Sequence, residues 1–166
     1  MKRGLLIAFE GIDGTGKSTQ LPLLASWLRD RGLAVVETRE PTDGPYGQQI
    51  RALYRRREQA SPEQELELFL QDRHQHVDLV IAPALAQGKV VLTDRYYFST
   101  AAYQGAVGCD PQQIFARHDF APKPDLVLLL TQTPEDSLAR IREQRGEVPN
   151  DFEQQDQLEK VAALFA

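Results

Sequence analysis

The stretch Leu5-Leu6-Ile7-Ala8-Phe9-Glu10-Gly11-Ile12-Asp13-Gly14-Thr15-Gly16-Lys17-Ser18-Thr19 places G-x-x-x-x-G-K-S directly after a short apolar run and directly before an amphipathic one. A phosphate-binding loop requires that context, with a strand that ends, a glycine-rich turn and a helix that begins. Gly11, Gly14 and Gly16 let the backbone turn so that successive N–H groups converge on one anion. Lys17 then meets the terminal phosphates. Ser18 opens the helix, where its hydroxyl can ligate Mg²⁺ and the helix N-terminus adds partial positive charge. The plain alternative is a glycine turn with an exposed lysine, but Leu21, Leu23, Leu24, Trp27 and Leu28 follow at helical spacing and favour the loop. Gly11, Asp13, Gly14, Thr15, Gly16, Lys17, Ser18 and Thr19 are the candidate cradle for a triphosphate.

The rest of the chain is consistent with one globular domain built around that loop. Its 166 residues, 42% hydrophobic and 26% charged, suit one globular domain over residues 1–166 with a full core. With 19 Lys plus Arg against 24 Asp plus Glu the net charge is −5, which argues against nucleic acid as the main partner and requires local positive charge wherever phosphates bind. The single cysteine, Cys109, cannot form an internal disulfide and fits the reducing cytoplasm. No stretch is long enough to span a membrane, and the apolar run behind Met1-Lys2-Arg3 is too short for a signal-peptide core.

Strand-like runs alternate with longer helical patterns, the signature of a parallel sheet covered on both faces. The expected strands are residues 5–9, 34–38, 89–93 and 125–130. A helix is expected over 18–31, closed by Gly32. Ser61-Pro62-Glu63-Gln64-Glu65 carries a capping serine, proline at the first helical position and acids in the first turn, so a helix should run from there to Gln87, kinked or ended early by Pro83. Thr133-Pro134-Glu135-Asp136 starts another.

Four further groups carry chemistry. Asp94-Arg95-Tyr96 falls at a strand's carboxyl end, where open α/β sheets bind ligands; Asp94 suits Mg²⁺ or its water, and Arg95 suits phosphate charge. Thr38-Arg39-Glu40-Pro41 lies just past another strand. Phe69, Arg73 and His76 share one helix face and offer an aromatic plate beside a cationic donor. Arg140, Arg142 and Arg145 run into Gly146, late in a helix, as a candidate lid over about residues 140–152.

The order of these pieces resembles the thymidylate kinase family of nucleoside monophosphate kinases. It is carried by Phe9-Glu10-Gly11-Ile12-Asp13-Gly14-Thr15-Gly16-Lys17-Ser18-Thr19, by Thr38-Arg39-Glu40-Pro41, and by Asp94-Arg95-Tyr96-Tyr97-Phe98-Ser99-Thr100-Ala101-Ala102-Tyr103-Gln104-Gly105. The resemblance implies a three-layer α/β/α P-loop kinase fold and transfer of the ATP γ-phosphate to dTMP with Mg²⁺, by a homodimer. It implies that Lys17 binds phosphate, that Ser18 and Asp94 serve the metal, and that Asp13 holds the acceptor 3′-hydroxyl. Arg95 would grip the acceptor phosphate, Phe69 stack on the base, Arg73 donate to a base carbonyl and Tyr103 crowd the 2′ position. Ser99, Thr100 and Gln104 would line the base pocket, with Glu40 near the acceptor and the metal. In the family variant whose loop lacks a catalytic arginine the lid supplies it; Gly14 stands at that position here, so Arg145 is the first candidate, ahead of Arg140 and Arg142.

Two departures stand beside the match. Thr42-Asp43-Gly44-Pro45-Tyr46-Gly47 replaces the Gly-Gly-Thr run common in bacterial members, so another deoxynucleotide or deoxynucleoside remains open as acceptor. A family member normally ends with a fifth strand and a last helix, whereas this sequence stops at Ala166 within the pattern Leu158, Val161, Leu164, Phe165. Either that tail lies outside this sequence or the domain is a short form. A module that binds nucleotide without transferring phosphate is the alternative of a different class.

Overall fold

Four short strands form one parallel sheet in the order β2-β3-β1-β4: β1 (Leu5–Glu10), β2 (Val35–Arg39), β3 (Val90–Asp94) and β4 (Leu126–Leu129). The structure is a computed structural model and describes residues 2–146 and 148–166. Each strand is one residue or so displaced from its sequence expectation, because Glu10, Arg39 and Asp94 still pair although they are charged. Asp125, expected inside β4, precedes it. Its side chain accepts the Leu6 N–H at 2.8 Å and its own N–H donates to Leu6 O at 2.8 Å, a polar start for the strand.

Alternation along the strands divides the core between the two faces. Phe9, Val90 and Leu92 pack with Leu21 and Ala25 of α1 (Lys17–Arg29) on one face. Leu6, Ala8 and Val91 pack on the other against Val77, Ile81, Ala84 and Leu85. Those four residues belong to a helical run made of α3 (Pro62–His76), a π-helical turn (Val77–Ile81) and α4 (Ala82–Ala86). The single helix expected from Ser61 to Gln87 is therefore interrupted, and the cause is Pro83. It has no N–H to return to Leu79, so the helix widens and the Ala82 N–H reaches back five residues to Val77 O. Similarly, α1 stops at Arg29 rather than Arg31, and Gly32 turns the chain at φ +79 three residues beyond.

The remaining helices gather at the carboxyl edge of the sheet. They are α2 (Pro45–Ala52), α5 (Tyr97–Gly105), α6 (Pro111–Arg117), α7 (Pro134–Arg145) and α8 (Gln155–Phe165), with 3₁₀ turns at Leu53–Arg55, Arg57–Gln59 and Asp151–Glu153. A second apolar cluster joins α5, α7 and α8 through Ala102, Tyr103, Leu138, Ile141, Leu158 and Val161. The C-terminal apolar pattern is thus helical and packs beside the site; among the described residues the sheet has four strands. No described helix is long and apolar enough to cross a membrane.

At the α3 start the expected capping serine is half of a capping box, with the Gln64 N–H donating to Ser61 Oγ at 3.1 Å and the Ser61 N–H to Gln64 Oε1 at 2.8 Å. Ser61→Ala should lower stability by about 1 kcal/mol in urea unfolding; an unchanged midpoint would show the cap to be idle.

Candidate active site

Residues 11–16 leave β1 and lead straight into α1, whose first amides are engaged at once. The Thr19 and Gln20 N–H groups bond back to Gly16 O at 3.1 and 2.9 Å, and Gly16 itself has φ +97. Lys17 is buried and curls into the loop, with Nζ donating to the carbonyls of Gly11 (2.9 Å) and Ile12 (2.8 Å). Burial pushes its ammonium down to about 8, helped by the charge of Arg95 and opposed by Asp13, Asp94 and Glu10. Gly14 has φ +81, and a Cβ there would lie 2.5 Å from the Ser137 carbonyl of α7. Helix α7 therefore sits directly on the loop, and no side chain, least of all an arginine, fits at that position.

Parallel pairing sets the other half of the site. Phe9 and Arg39 both register with Asp94, so the ends of β1, β2 and β3 open together on one edge, and the residues that follow them meet there. Arg95 turns off that edge at φ +74, a conformation that costs a non-glycine residue about 1–3 kcal/mol. The turn is held by Arg95 N–H donating to Phe9 O (2.9 Å) and Thr93 Oγ1 donating to Arg95 O (2.8 Å). It aims the guanidinium back across the phosphate loop, where NH2 donates to Asp13 Oδ1 (2.7 Å) and Tyr103 Oη (3.2 Å) and NH1 to Ser99 Oγ (2.9 Å). Burial alone would raise the Asp13 carboxyl, but the charges of Arg95 and Lys17 hold it down at about 2, so it is ionised throughout the working range.

Two contiguous cavities meet at this arginine. One runs along the phosphate loop and is lined by Gly14, Gly16, Lys17, Ser18, Thr19 and Asp94, with Arg39 and Arg51 opposite. The other is deeper and more apolar, with walls from Phe69, Tyr103, Tyr54 and Phe152 and polar groups from Arg73, Ser99 and Thr100. Asp13, Glu40, Pro41, Tyr54, Arg95 and Arg145 line both.

Arg73 is nearly fully buried at the floor of the second cavity. Its Nε (2.9 Å) and NH2 donate to Glu40 Oε2, and NH1 donates to Thr100 Oγ1 (3.0 Å) and His118 Nε2 (2.7 Å). Four of the five guanidinium hydrogens are used, which leaves one on NH2. Glu40 also takes the Nδ1 hydrogen of His76, whose Nε2 lies 2.6 Å from Thr38 Oγ1. Burial would raise the Glu40 carboxyl, yet Arg73 and His76 hold it below its ordinary value. His118 is pushed down to about 4 by burial and by Arg73, so its ring is neutral, with Nδ1 donating to Ile114 O.

Most of the sequence candidates come together here, but Gly11, Thr15 and Gln104 line neither cavity, Thr15 turning its hydroxyl into the loop to donate to Ile12 O at 2.9 Å. Gln104 is fully buried and does not line either cavity; its Nε2 donates to Glu65 Oε2 at 3.0 Å, one layer behind the wall, because Tyr103 is the α5 residue that turns inward. Of the lid arginines, Arg145 lines both cavities and donates to buried Glu153 at 2.8 Å. Arg140 lies over Gly16 and bonds Gln132 at 3.3 Å, and Arg142 is exposed. Glu147, within the expected lid, lies outside the described residues.

Asn150 and Phe152 of the expected lid stretch also line the cavities, as do Arg51, Tyr54 and Glu153, although no motif marks those three. Their one signal is the run Tyr54-Arg55-Arg56-Arg57, which reads as a solvated face but supplies Arg57, stacked 4.1 Å over Phe152 and paired with Glu65 at 2.8 Å. No group of three or more His, Cys, Asp or Glu able to hold a metal occurs among the described residues. What the first cavity offers instead, the Ser18 hydroxyl and the Asp94 carboxylate, is a sparse set of hard oxygen donors. That set suits Mg²⁺, which keeps several waters and shares ligands with phosphates.

The family model described as thymidylate kinase matches residues 9–166. The chain is 56% identical to a thymidylate kinase from Desulfotalea psychrophila over 162 residues, spanning 98% of this chain and 80% of that protein. To one from Xanthomonas campestris pv. campestris it is 51% identical over 163 residues, again 98% of this chain and 71% of the relative. Its fold is similar to the crystal structure of thymidylate kinase from Ehrlichia chaffeensis, with a TM-score of 0.71 and 34% identity over 85% of this chain and 78% of that one.

The contact between α7 and the loop can be isolated with two glycines of nearly equal φ. Gly14→Ala meets a backbone carbonyl, whereas Gly32→Ala, at φ +79, meets nothing within 4 Å. Both should lose stability through backbone strain, and Gly14→Ala should lose about 1–3 kcal/mol more in urea unfolding. Equal losses would mean that α7 does not rest on the loop.

Proposed function

Since the chain belongs to the thymidylate kinase family, and is on that ground a nucleoside monophosphate kinase, we propose that it transfers the γ-phosphate of ATP to dTMP, giving dTDP, with Mg²⁺ as cofactor. The observation that carries this reading is Arg95, partly buried between Asp13 of the phosphate loop and Ser99 of α5 at the boundary of the two cavities. A nucleotide in each cavity would bring its phosphates to that boundary.

Phosphoryl transfer asks for positioning and positive charge and for little covalent chemistry. The loop amides and Lys17 hold the ATP phosphates, Lys17 exchanging its bonds to Gly11 and Ile12 for phosphate oxygens. Ser18 and Asp94 would hold Mg²⁺, which neutralises charge on the transferring group. Arg95 has two hydrogens unused, on Nε and NH1, and presents them to the acceptor phosphate. Arg145, from the end of α7, adds the charge that Gly14 cannot. Asp13 gives one oxygen to Arg95; Oδ2, with the Tyr103 hydroxyl 3.5 Å away, remains able to accept the 3′-hydroxyl. The base lies on Phe69, and the single remaining hydrogen of Arg73 suits one pyrimidine carbonyl. Tyr103 fills the space beside the 2′ carbon and favours deoxyribose. The same reading includes a homodimer at work in the cytoplasm; light scattering tests the dimer.

Lys17→Ala should lower turnover of ATP with dTMP by on the order of 10²–10³-fold or more, with the unfolding midpoint kept. Wild-type turnover in that variant would remove the proposal. Phe69→Ala should raise the KM for dTMP far more than that for ATP, whereas equal effects would leave Phe69 as a packing residue only. Because the free-enzyme Lys17 ammonium is lost as pH rises through about 8, kcat/KM for ATP should fall above that pH. A fall that begins only near the ordinary lysine value would contradict the assignment.

A further inference from the structure

Glu10 is the last residue of β1, fully buried, and the reaction as described makes no use of it. Its Oε1 accepts the N–H groups of Tyr96 (2.9 Å) and Ser99 (3.4 Å), and its Oε2 accepts the Ser99 hydroxyl. Tyr96 is the N-cap of α5 and contributes no side-chain cap, so a carboxylate from another strand caps this helix. The Ser99 oxygen in turn accepts from Arg95 NH1 at 2.9 Å. A hydroxyl has one hydrogen, and the ionised Glu10, the form present above about pH 7, only accepts, so in that form the hydrogen is committed to Glu10 and the Ser99 lone pairs face Arg95. Asp13 and Tyr103 hold the other terminal nitrogen at 2.7 and 3.2 Å. Two carboxylates flanking the start of the phosphate loop thus fix one guanidinium at both ends, one directly and one through a hydroxyl.

We propose that Glu10 is a positioning residue for the acceptor phosphate: through Ser99 it orients the Arg95 guanidinium so that its free hydrogens face the acceptor site. This inference rests on the reading of Arg95 as the acceptor-phosphate ligand. A purely structural cap would not need a charge here. Burial pushes the Glu10 carboxyl up to about 7, against the Ser99 bond and the charges of Arg95 and Arg73. A glutamine would cap the α5 amides without burying a carboxylate, but its amide nitrogen would donate to Ser99 and turn the hydroxyl hydrogen toward Arg95. Stability given up at a buried charge is the signature of a group kept for function.

The test is steady-state kinetics with ATP and dTMP, and calorimetric binding of dTMP, on the full chain as wild type, Glu10→Gln, Ser99→Ala and the double variant. Glu10→Gln should raise the KM and Kd of dTMP about tenfold, the loss of one charge-assisted hydrogen bond, with the KM of ATP changed by less than about twofold and the unfolding midpoint not lowered. Ser99→Ala leaves the backbone amides on Glu10 and carries the same dTMP-selective expectation by itself. The double variant should be no worse than the weaker single variant, because both cut one relay. The proposal is overturned by unchanged dTMP constants, by additive penalties, or by equal rises in both KM values with a lowered midpoint. A wild type inert toward dTMP would instead remove the underlying kinase reading and this inference with it.

Discussion

The hydrogen bond from the Arg95 amide to the Phe9 carbonyl, at 2.9 Å, closes the pairing of β1 with β3, and the site is built from what that closure permits. Beyond it the chain turns through a left-handed residue, which brings a side chain from the end of β3 back over the loop that leaves β1. The glycine loop and Arg95 follow neighbouring parallel strands in fixed register, so their separation is set by backbone pairing rather than by flexible side chains. The strain at Arg95 is borne by a sheet whose β3 residues are almost all buried.

Charge balance follows the same economy. A chain of net charge −5 must bind phosphates, and it gathers Lys17, Arg39, Arg51, Arg95 and Arg145 around one cavity, with Arg39 and Arg51 on exposed Asp43, Arg95 on partly buried Asp13 and Arg145 on buried Glu153. Asp13 fixes Arg95, Glu40 fixes Arg73 and Glu153 fixes Arg145, each arginine within hydrogen-bond distance of its own acid. The Arg73–Glu40 pair is buried on both sides and the other two only in part; such pairs are weak contributors to stability but constrain geometry. Phosphoryl transfer, which depends on positioned charge, benefits from that exchange.

Much of this was legible in the sequence where backbone constraint and residue type coincide. The glycine spacing of the phosphate loop, the apolar strands and the Ser61 cap follow from local chemistry, and each stands where local chemistry puts it. The helix over residues 62–86 was legible in extent but not in kind, since a π turn depends on how Pro83 is accommodated against the sheet. The resemblance puts Gln104 in the base pocket, but which of two adjacent helix residues faces a cavity is settled only by tertiary packing, and here Tyr103 does while Gln104 bonds Glu65. Tyr54 and Arg51 were invisible for a related reason, as they reach the site from a 3₁₀ turn and a helix end that carry no periodic signal, whereas Phe152 falls at the end of the expected lid stretch. The role of Glu10 was hidden by its place inside the most recognisable motif of the chain.

The central claim is that the two cavities meeting at Arg95 hold a phosphate donor and a deoxynucleotide acceptor. It is tested most directly by measuring ADP release from ATP and Mg²⁺ with dTMP, dUMP, other nucleoside monophosphates and thymidine supplied separately. The account predicts turnover with dTMP well above every other acceptor. ADP release at background with dTMP, or a clear preference for a different acceptor, would contradict it.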